Sequence, residues 1–567
     1  MKHKRWLIQG CVLILIGLFF GQTIAAGPHL SLTADEPVHM AQGYVYWIQG
    51  DFRLQRPVAQ PPLPDLLPGA FLALQPGPNI EQLAGWADAD LSRFSRAFID
   101  WYGDRDVLPA ATFASRAPIA LIAVIGVAFA FRWAREAFGA KGGLLTVTLL
   151  AFDPNFIAHA GLATTDVLLA VWTFGSVYAA SQWMKSRRVW PWGLMTGLFL
   201  GFALGSKTSG FFAPGMIGLL FSLRALGNIK DLRTAPGDLL TRAVFWLKRY
   251  LLTLGLAFLV LWVLYRFEVR PLPGLNLPTP FATHWVIWQE MVTHLQDGHI
   301  AYLMGEISYT GWWYYYPLTF LLKTPPPTLI LLLAALLAGV KSAQRRWWDR
   351  RAIWLPALLY GIAAISSNID IGYRYLLVML PFLYILCGGW LTKAKRNWQR
   401  WLTAAFIIWL MMSAALTFPH YLAYFNPVIA ASDNEAAYLV DSNLDWGQGF
   451  IALERWTEKH ATQKPLFISY YTFVDPAHYD LDYTPIAPAA DAPPVLEQHF
   501  EPKPGTYAIS ATPLQGVMVA QEETHSWFRQ REPIARPGNA IFVYEIPEEK
   551  NRPEWIAQCT VPVAPLS

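Results

Sequence analysis

Apolar runs long enough to cross a membrane dominate this chain, and short polar segments separate them. The first is Trp6–Ala26, and ten more lie near residues 110–131, 142–158, 163–183, 190–206, 209–226, 250–265, 325–340, 352–367, 374–392 and 401–418. A span needs about 20 mostly apolar residues, so the pattern predicts a polytopic α-helical membrane protein with about 11 transmembrane helices. Lys2, Lys4 and Arg5 precede the first run, and Thr23-Ile24-Ala25 near its end has the small-x-small form of a signal cleavage site. The length of the run and the acids that follow it at Asp35 favour a retained anchor.

The polar segments divide into two kinds. Short ones concentrate base, as in Arg132/Arg135/Lys141, Lys185/Arg187/Arg188, Lys341/Arg345/Arg346/Arg350/Arg351 and Lys393/Lys395/Arg396/Arg400. By the positive-inside rule these lie in the cytoplasm with the N-terminus, and eleven spans then put the tail outside. The long segments are outer loops, about 27–109 and 266–323. In the first, Leu91–Tyr102 has the spacing of an amphipathic helix lying on the membrane surface. The second ends in Trp312, Trp313, Tyr314, Tyr315 and Tyr316.

After His420 the period changes. The β-like runs Pro465–Tyr471, Thr506–Ile509 and Ala540–Tyr544 alternate with a helical stretch near Phe450–His460 and with Pro-rich turns. Residues 1–419 are thus expected to form a transmembrane module and 420–567 a C-terminal soluble α/β domain in the periplasm or its equivalent.

Composition sharpens this picture. Hydrophobic residues make up 54% and charged residues 15%, against about 25% charged in soluble domains. The 26 Trp, 24 Tyr and 33 Phe suit two membrane interfaces. A dispersed net charge of +4 gives no footprint for nucleic acid. Cys11, Cys387 and Cys559 have neither metal nor disulfide spacing. No P-loop, G-x-S-x-G or G-x-G-x-x-G motif occurs, and no histidine pair has metal-helix spacing. Asp441-Ser-Asn443-Leu-Asp445 begins like a calcium loop, but Trp446 and Ala452 stand where Gly and Glu are needed.

Ionisable residues at membrane depth are expensive and mark function by default. Asp35-Glu36, Asp166, Lys207, Lys323, Asp370 and Arg374 all fall at the outer ends of the predicted spans. Each has a plainer explanation. Asp35 and Asp166 sit where helix caps are expected, and Lys207, Arg374 and Lys323 could snorkel to the headgroups. Snorkelling on the side where Lys and Arg are scarce is the less economical account. His159, His299 and His420 read as loop residues. A lipid or ion transporter would also gather such charges, but near the midplane and with paired broken helices.

Several short motifs occur in order. They are Asp35-Glu36-Pro37-Val38-His39, Gly50-Asp51-Phe52-Arg53-Leu54, Gln60-Pro61-Pro62-Leu63, Asp153-Pro-Asn with His159 and Thr164-Thr-Asp166, and Gly205-Ser-Lys207. Next come Gly298-His299 with Tyr302 to Glu306, Gly311 to Pro317, Leu322-Lys323, Gly372-Tyr-Arg374-Tyr375, His420 to Asn426, and Asp441 to Gln448. Together the chain resembles membrane glycosyltransferases of the GT-C type. The nearest branch is the phospholipid-carrier-dependent one, related to protein O-mannosyltransferases and the aminoarabinose transferase of lipid A.

The resemblance implies transfer of a sugar from a polyprenyl-monophosphate donor to an acceptor hydroxyl on a protein, lipid or glycan, at the outer face of the cell (inner) membrane. It makes Asp35 the expected base, with Glu36 orienting it or binding sugar hydroxyls and Asp166 a second acid. Lys207 and Arg374 become the phosphate contacts, and Lys323, His299, Glu306 and Gln60 further substrate-binding residues. Direct attack with one base implies inversion, by analogy with inverting glycosidases. Relatives often carry His or a Glu-Lys pair where this chain has Gln60, a poor metal ligand beside them. No metal ligand is assigned, and a divalent-metal cofactor is left open.

Overall fold

The computed structural model describes residues 2–55, 60–185, 189–227, 238–340, 350–393, 396–428, 434–460, 462, 465–486, 502–519 and 522–548. Arg187, Arg188, Lys341, Arg345, Arg346, Lys395 and Cys559 lie outside them.

Each predicted apolar run coincides with helix. α1 is Lys2–Ala26, and the first long loop folds into α2 (Glu36–Ile48), α3 (Leu63–Leu72) and α4 (Leu91–Gly103). Then follow α5 (Leu108–Ala151), α6 (Pro154–Ala160), α7 (Asp166–Lys185), α8 (Val189–Leu204), α9 (Phe212–Leu226) and α10 (Leu239–Leu264). The second long loop carries the hairpins β1–β2 (Val269–Leu272, Leu275–Pro280) and β3–β4 (Ala301–Leu303, Glu306–Ser308), with α11 (Ala282–Asp297) between them. It leads into α12 (Tyr315–Lys323) and α13 (Pro326–Val340). Helices Arg351–Ile365, Leu380–Lys393 and Asn397–Thr417 complete the helical part.

Among the described residues, 5 helices are long and apolar enough to cross a membrane, or 6 if the bent pair α12–α13 counts as one span. α5 accounts for part of the difference from eleven. Its 44 residues would run about 66 Å at 1.5 Å per residue, twice the hydrocarbon thickness. The chain breaks at Gly139, whose φ of 74° and ψ of −179° suit only glycine. Beyond it the helix doubles back, so that a Cβ on Gly143 would press on the Phe131 ring. The expected runs 110–131 and 142–158 therefore fall on separate arms of a segment folded at a glycine, the second run continuing past Ala151 into α6.

α4 corrects one expectation. It is a helix over the predicted residues, and Phe94, Ser95, Phe98, Ile99 and Tyr102 form its buried stripe. That stripe packs against α2, with Phe98 against Tyr44, and against the loop before α4, with Phe94 against Trp86, and is covered by protein. Its apolar face is thus not free to lie on a membrane surface. α2 and α3 approach so closely that Gly43 and Gly69 leave no room for a Cβ on either.

In the tail, β5 (Leu466–Ser469), β6 (Thr484–Pro485), β7 (Gly505–Ser510) and β8 (Ile541–Ile546) form one sheet of order β6-β5-β7-β8. β5 pairs in parallel with β6 and β7, and β7 pairs antiparallel with β8. The period of two divides the two faces. Leu466, Ile468, Ala508, Ile541 and Val543 pack under the helix Phe450–Lys459. Tyr507, Ile509, Phe542 and Tyr544 join the large core that continues through the apolar helices.

Candidate active site

The site forms where helices begin and end, because local sequence stops them there. Pro37 in the first turn of α2 is favourable at that position and leaves Asp35 as its N-cap residue. Asp35 makes no capping hydrogen bond. Asp166 opens α7. Lys207 stands in extended backbone after α8. Arg374 lies in a short 3₁₀ segment, Tyr373–Met379, ahead of the helix Leu380–Lys393.

These four side chains meet. The Arg374 guanidinium donates to Asp35 Oδ2 at 2.9 Å and lies 3.9 Å from Asp166 Oδ2. Lys207 Nζ donates to Asp166 Oδ1 at 2.6 Å and sits 4.0 Å from the centre of the Tyr375 ring. The result is a row, Asp35–Arg374–Asp166–Lys207. Neither cation snorkels, for both are buried. Neither acid's side chain makes a capping hydrogen bond among the described residues. Asp35 keeps 41% of its side chain exposed, whereas Asp166 keeps 2%. Arg374 Nε has no partner among the described residues, so the guanidinium has donors to spare.

The surroundings come from distant parts of the chain. Trp446 stacks on the Arg374 guanidinium at 4.3 Å, and His159 meets Trp446 edge-on. Backbone bonds from Ser31 to Gln448 and from Ala34 to Trp446 tie the stretch before Asp35 to this tail segment. One turn after Asp35, His39 Nδ1 lies 2.5 Å from Asp65 Oδ1. Burial alone would lower the pKa of His39, but Asp65, with the fields of Asp35 and Asp166, raises it. Burial pushes the Asp65 carboxyl up to about 6 against the opposing effect of His39.

The other predicted site residues divide. Glu36 turns away from Asp35 to Arg116, which donates to Oε1 at 2.8 Å and to Oε2 at 2.7 Å. Thr33 and Ala163 N–H groups, each at 2.8 Å, complete its shell. Gln60 borders the site, its Oε1 accepting from the Thr208 N–H at 3.2 Å. His299 is half-buried, within the fields of Arg374 and Asp35, and its pKa is lowered chiefly by burial. Lys323 is a scaffold cation, donating to the carbonyls of Leu422 at 2.8 Å and Asn443 at 2.5 Å. Glu306 opens β4, exposed and without an ion pair among the described residues. The aromatic run splits, with Trp313 exposed and Tyr315 and Tyr316 buried. No group of three His, Cys, Asp or Glu side chains among the described residues has the spacing of a metal site.

Arg116 and Asp65 are not among the residues expected from sequence, and His39, Tyr375 and Trp446 stand there only as members of motifs, with no role assigned. Arg116 carried a signal, a cation inside the apolar run 110–131, by the same rule that singles out Asp166.

Residues 107–231 match the family model described as dolichyl-phosphate-mannose-protein mannosyltransferase. No curated protein matches the chain. Among solved structures, it is similar to ArnT from Cupriavidus metallidurans bound to undecaprenyl phosphate, at 13% identity and a TM-score of 0.46, covering 94% of this chain and 97% of that one. It is also similar to the Archaeoglobus fulgidus oligosaccharyltransferase tethered with an acceptor peptide, at 13% identity and a TM-score of 0.44, covering 82% of this chain and 62% of that one. The matched segment 107–231 holds Asp153, Asp166 and Lys207, and with it the resemblance read from the short motifs, to carrier-dependent membrane glycosyltransferases, is borne out.

Proposed function

We propose that this chain is an integral-membrane glycosyltransferase that moves a sugar from a polyprenyl-monophosphate carrier to an acceptor hydroxyl. In this reading eleven spans put the N-terminus in the cytoplasm. The tail 420–567 then forms an α/β domain on the outer face of the cell membrane, where transfer occurs. The observation that carries it is the row Asp35–Arg374–Asp166–Lys207, closed and buried at one end and open at Asp35.

The chemistry follows from the charges. The donor's leaving group is a phosphate ester of low pKa and needs no general acid. It needs positive charge as it departs, and Lys207 and Arg374 supply that from a water-poor site. The acceptor hydroxyl has a high pKa, so a positioned carboxylate must take its proton as it attacks. Asp35 is the acid with free surface. The acceptor oxygen bonds to the anomeric carbon as the carbon–phosphate oxygen bond breaks on the opposite face, so the configuration inverts. Asp166 holds Lys207 and Arg374 in place between turnovers. Gln60, His299 and Glu306 remain substrate-binding proposals, with Gln60 and His299 bordering the row.

The test offers membranes containing the protein a panel of radiolabelled polyprenyl-phosphate hexoses and pentoses. The reading expects label to leave one carrier and appear on a protein, lipid or glycan with inverted anomeric configuration. Label that stays on every carrier, while carriers cross the bilayer in a protein-dependent way, would replace it with a lipid transporter.

A further inference from the structure

The segment Asp441–Gln448 belongs to the tail by sequence but is built against Arg374. Ser442 Oγ donates to the Ile371 carbonyl at 2.7 Å, and Asn443 Oδ1 accepts the Tyr373 N–H at 2.9 Å. A Cβ on Gly372 would collide with Ser442 Oγ, so glycine leaves room there for the Ser442 side chain. Asn443 Nδ2 donates to Tyr315 Oη at 3.1 Å, and Lys323 holds the Asn443 carbonyl. The polar groups of Ser442 and Asn443 are thus taken up in fixing the segment.

The two acids of the segment differ. Asp445 spends both oxygens on the scaffold, Oδ1 on the Gly447 N–H at 3.2 Å and Oδ2 on the Thr512 N–H at 3.1 Å. Asp441 has its N–H on the Thr512 hydroxyl at 3.0 Å and its Oδ1 on the Ser442 N–H at 2.5 Å. Its Oδ2 accepts no hydrogen bond among the described residues, and the residue is 8% exposed. Asp441 also has a φ of 56°, a left-handed conformation that Asp and Asn tolerate better than most residues. Held strain of this kind clusters at functional sites. Burial raises the Asp441 pKa to about 6, against the opposing effects of Arg374 and the Ser442 N–H.

We propose that Asp441 binds a hydroxyl of the transferred sugar and so selects which sugar is accepted. This rests on the glycosyltransferase reading above. A carboxylate with one oxygen fixed and one free is a directed acceptor for a hydroxyl donor. Its segment packs on the backbone at Tyr373 and stacks Trp446 on Arg374, so with Arg374 meeting the phosphate and Asp35 the acceptor, Asp441 would meet the donor's remaining part, the sugar ring. The tail then contributes to specificity through this segment.

The experiment uses full-length protein in membranes and a polyprenyl-phosphate hexose that the parent transfers, with its monodeoxy analogues. One analogue should lose about 10- to 150-fold in kcat/KM with the parent, the range for a hydrogen bond to a charged group. Asp441→Ala should cut that discrimination to about threefold or less and leave the other analogues ranked as before. Asp441→Asn keeps the left-handed backbone and the contact to Ser442, and should cut it in the same direction. Undiminished discrimination in both variants, or none in the parent, overturns the inference while hexose transfer upholds the transferase reading. Failure of the parent to transfer any donor overturns both.

Discussion

Asp35 and Glu36 are neighbours in sequence, both acidic and each paired with an arginine, yet they do opposite things. Glu36 is sealed, with 0% of its side chain exposed, and both oxygens are met by Arg116 and by the N–H groups of Thr33 and Ala163. Burial pushes its pKa up, but Arg116 and these donors outweigh that and leave it below the ordinary value. Asp35 shares Arg374 with Asp166 and leaves 41% of its side chain open. A fully satisfied ion pair joins elements, and an incompletely satisfied one keeps capacity for a ligand. Glu36 ties the start of α2 to α5 and the Ala163 loop, so that Asp35 projects from a fixed base.

That contrast can be broken by experiment. Glu36→Ala strands Arg116 in a buried position, and removing one partner of such a pair costs about 3–5 kcal/mol. The expected outcome is low yield and early thermal unfolding in detergent, with activity lost along with the fold. A stable, inactive variant would instead place Glu36 in the chemistry. Lys207→Ala leaves Asp166 the second cation Arg374, 3.9 Å away, so it should insert and fold while weakening donor binding about 10- to 150-fold, the loss of one charged hydrogen bond. Titration with the donor checks it, and unchanged affinity would confine Lys207 to holding Asp166.

The smallest effect concerns pH. Burial raises the Asp370 pKa to about 6, with the Trp312 N–H opposing. A raised carboxyl favours its protonated form in the fold. Its contribution to stability is therefore full below the ordinary 3.8 and is lost as pH rises through about 6. Glu36, with a lowered pKa, behaves the other way: its contribution is present above the ordinary 4.5 and is lost on further acidification. Thermal midpoints of Asp370→Asn from pH 4 to 7 should fall less with rising pH than those of the parent. A parallel slope would show that Asp370 does not titrate in this window.

Much of this was legible in the sequence. The apolar runs give the helices because length and hydropathy are local properties, and Asp166, Lys207 and Arg374 stand out because charge is rare there. The strands β5, β7 and β8 fall on the expected segments for the same reason. What was not legible depends on distant partners. Arg116 finds Glu36 across 80 positions, and Trp446 reaches Arg374 only because the tail folds back onto the helix ends. Nor does the spacing of Phe94, Phe98 and Tyr102 say whether lipid or α2 covers that face. The separation of Asp35 from Glu36 was partly readable, since successive positions on a helix point about 100° apart.

The most direct test compares the parent with Asp35→Asn in single-turnover transfer from a bound, radiolabelled polyprenyl-phosphate sugar. The substitution preserves shape and removes the base. Donor binding and thermal stability should stay close to those of the parent, while the transfer step slows about 10²- to 10⁴-fold. An Asn variant that transfers label at the parent's rate would contradict the assignment of Asp35 as the base.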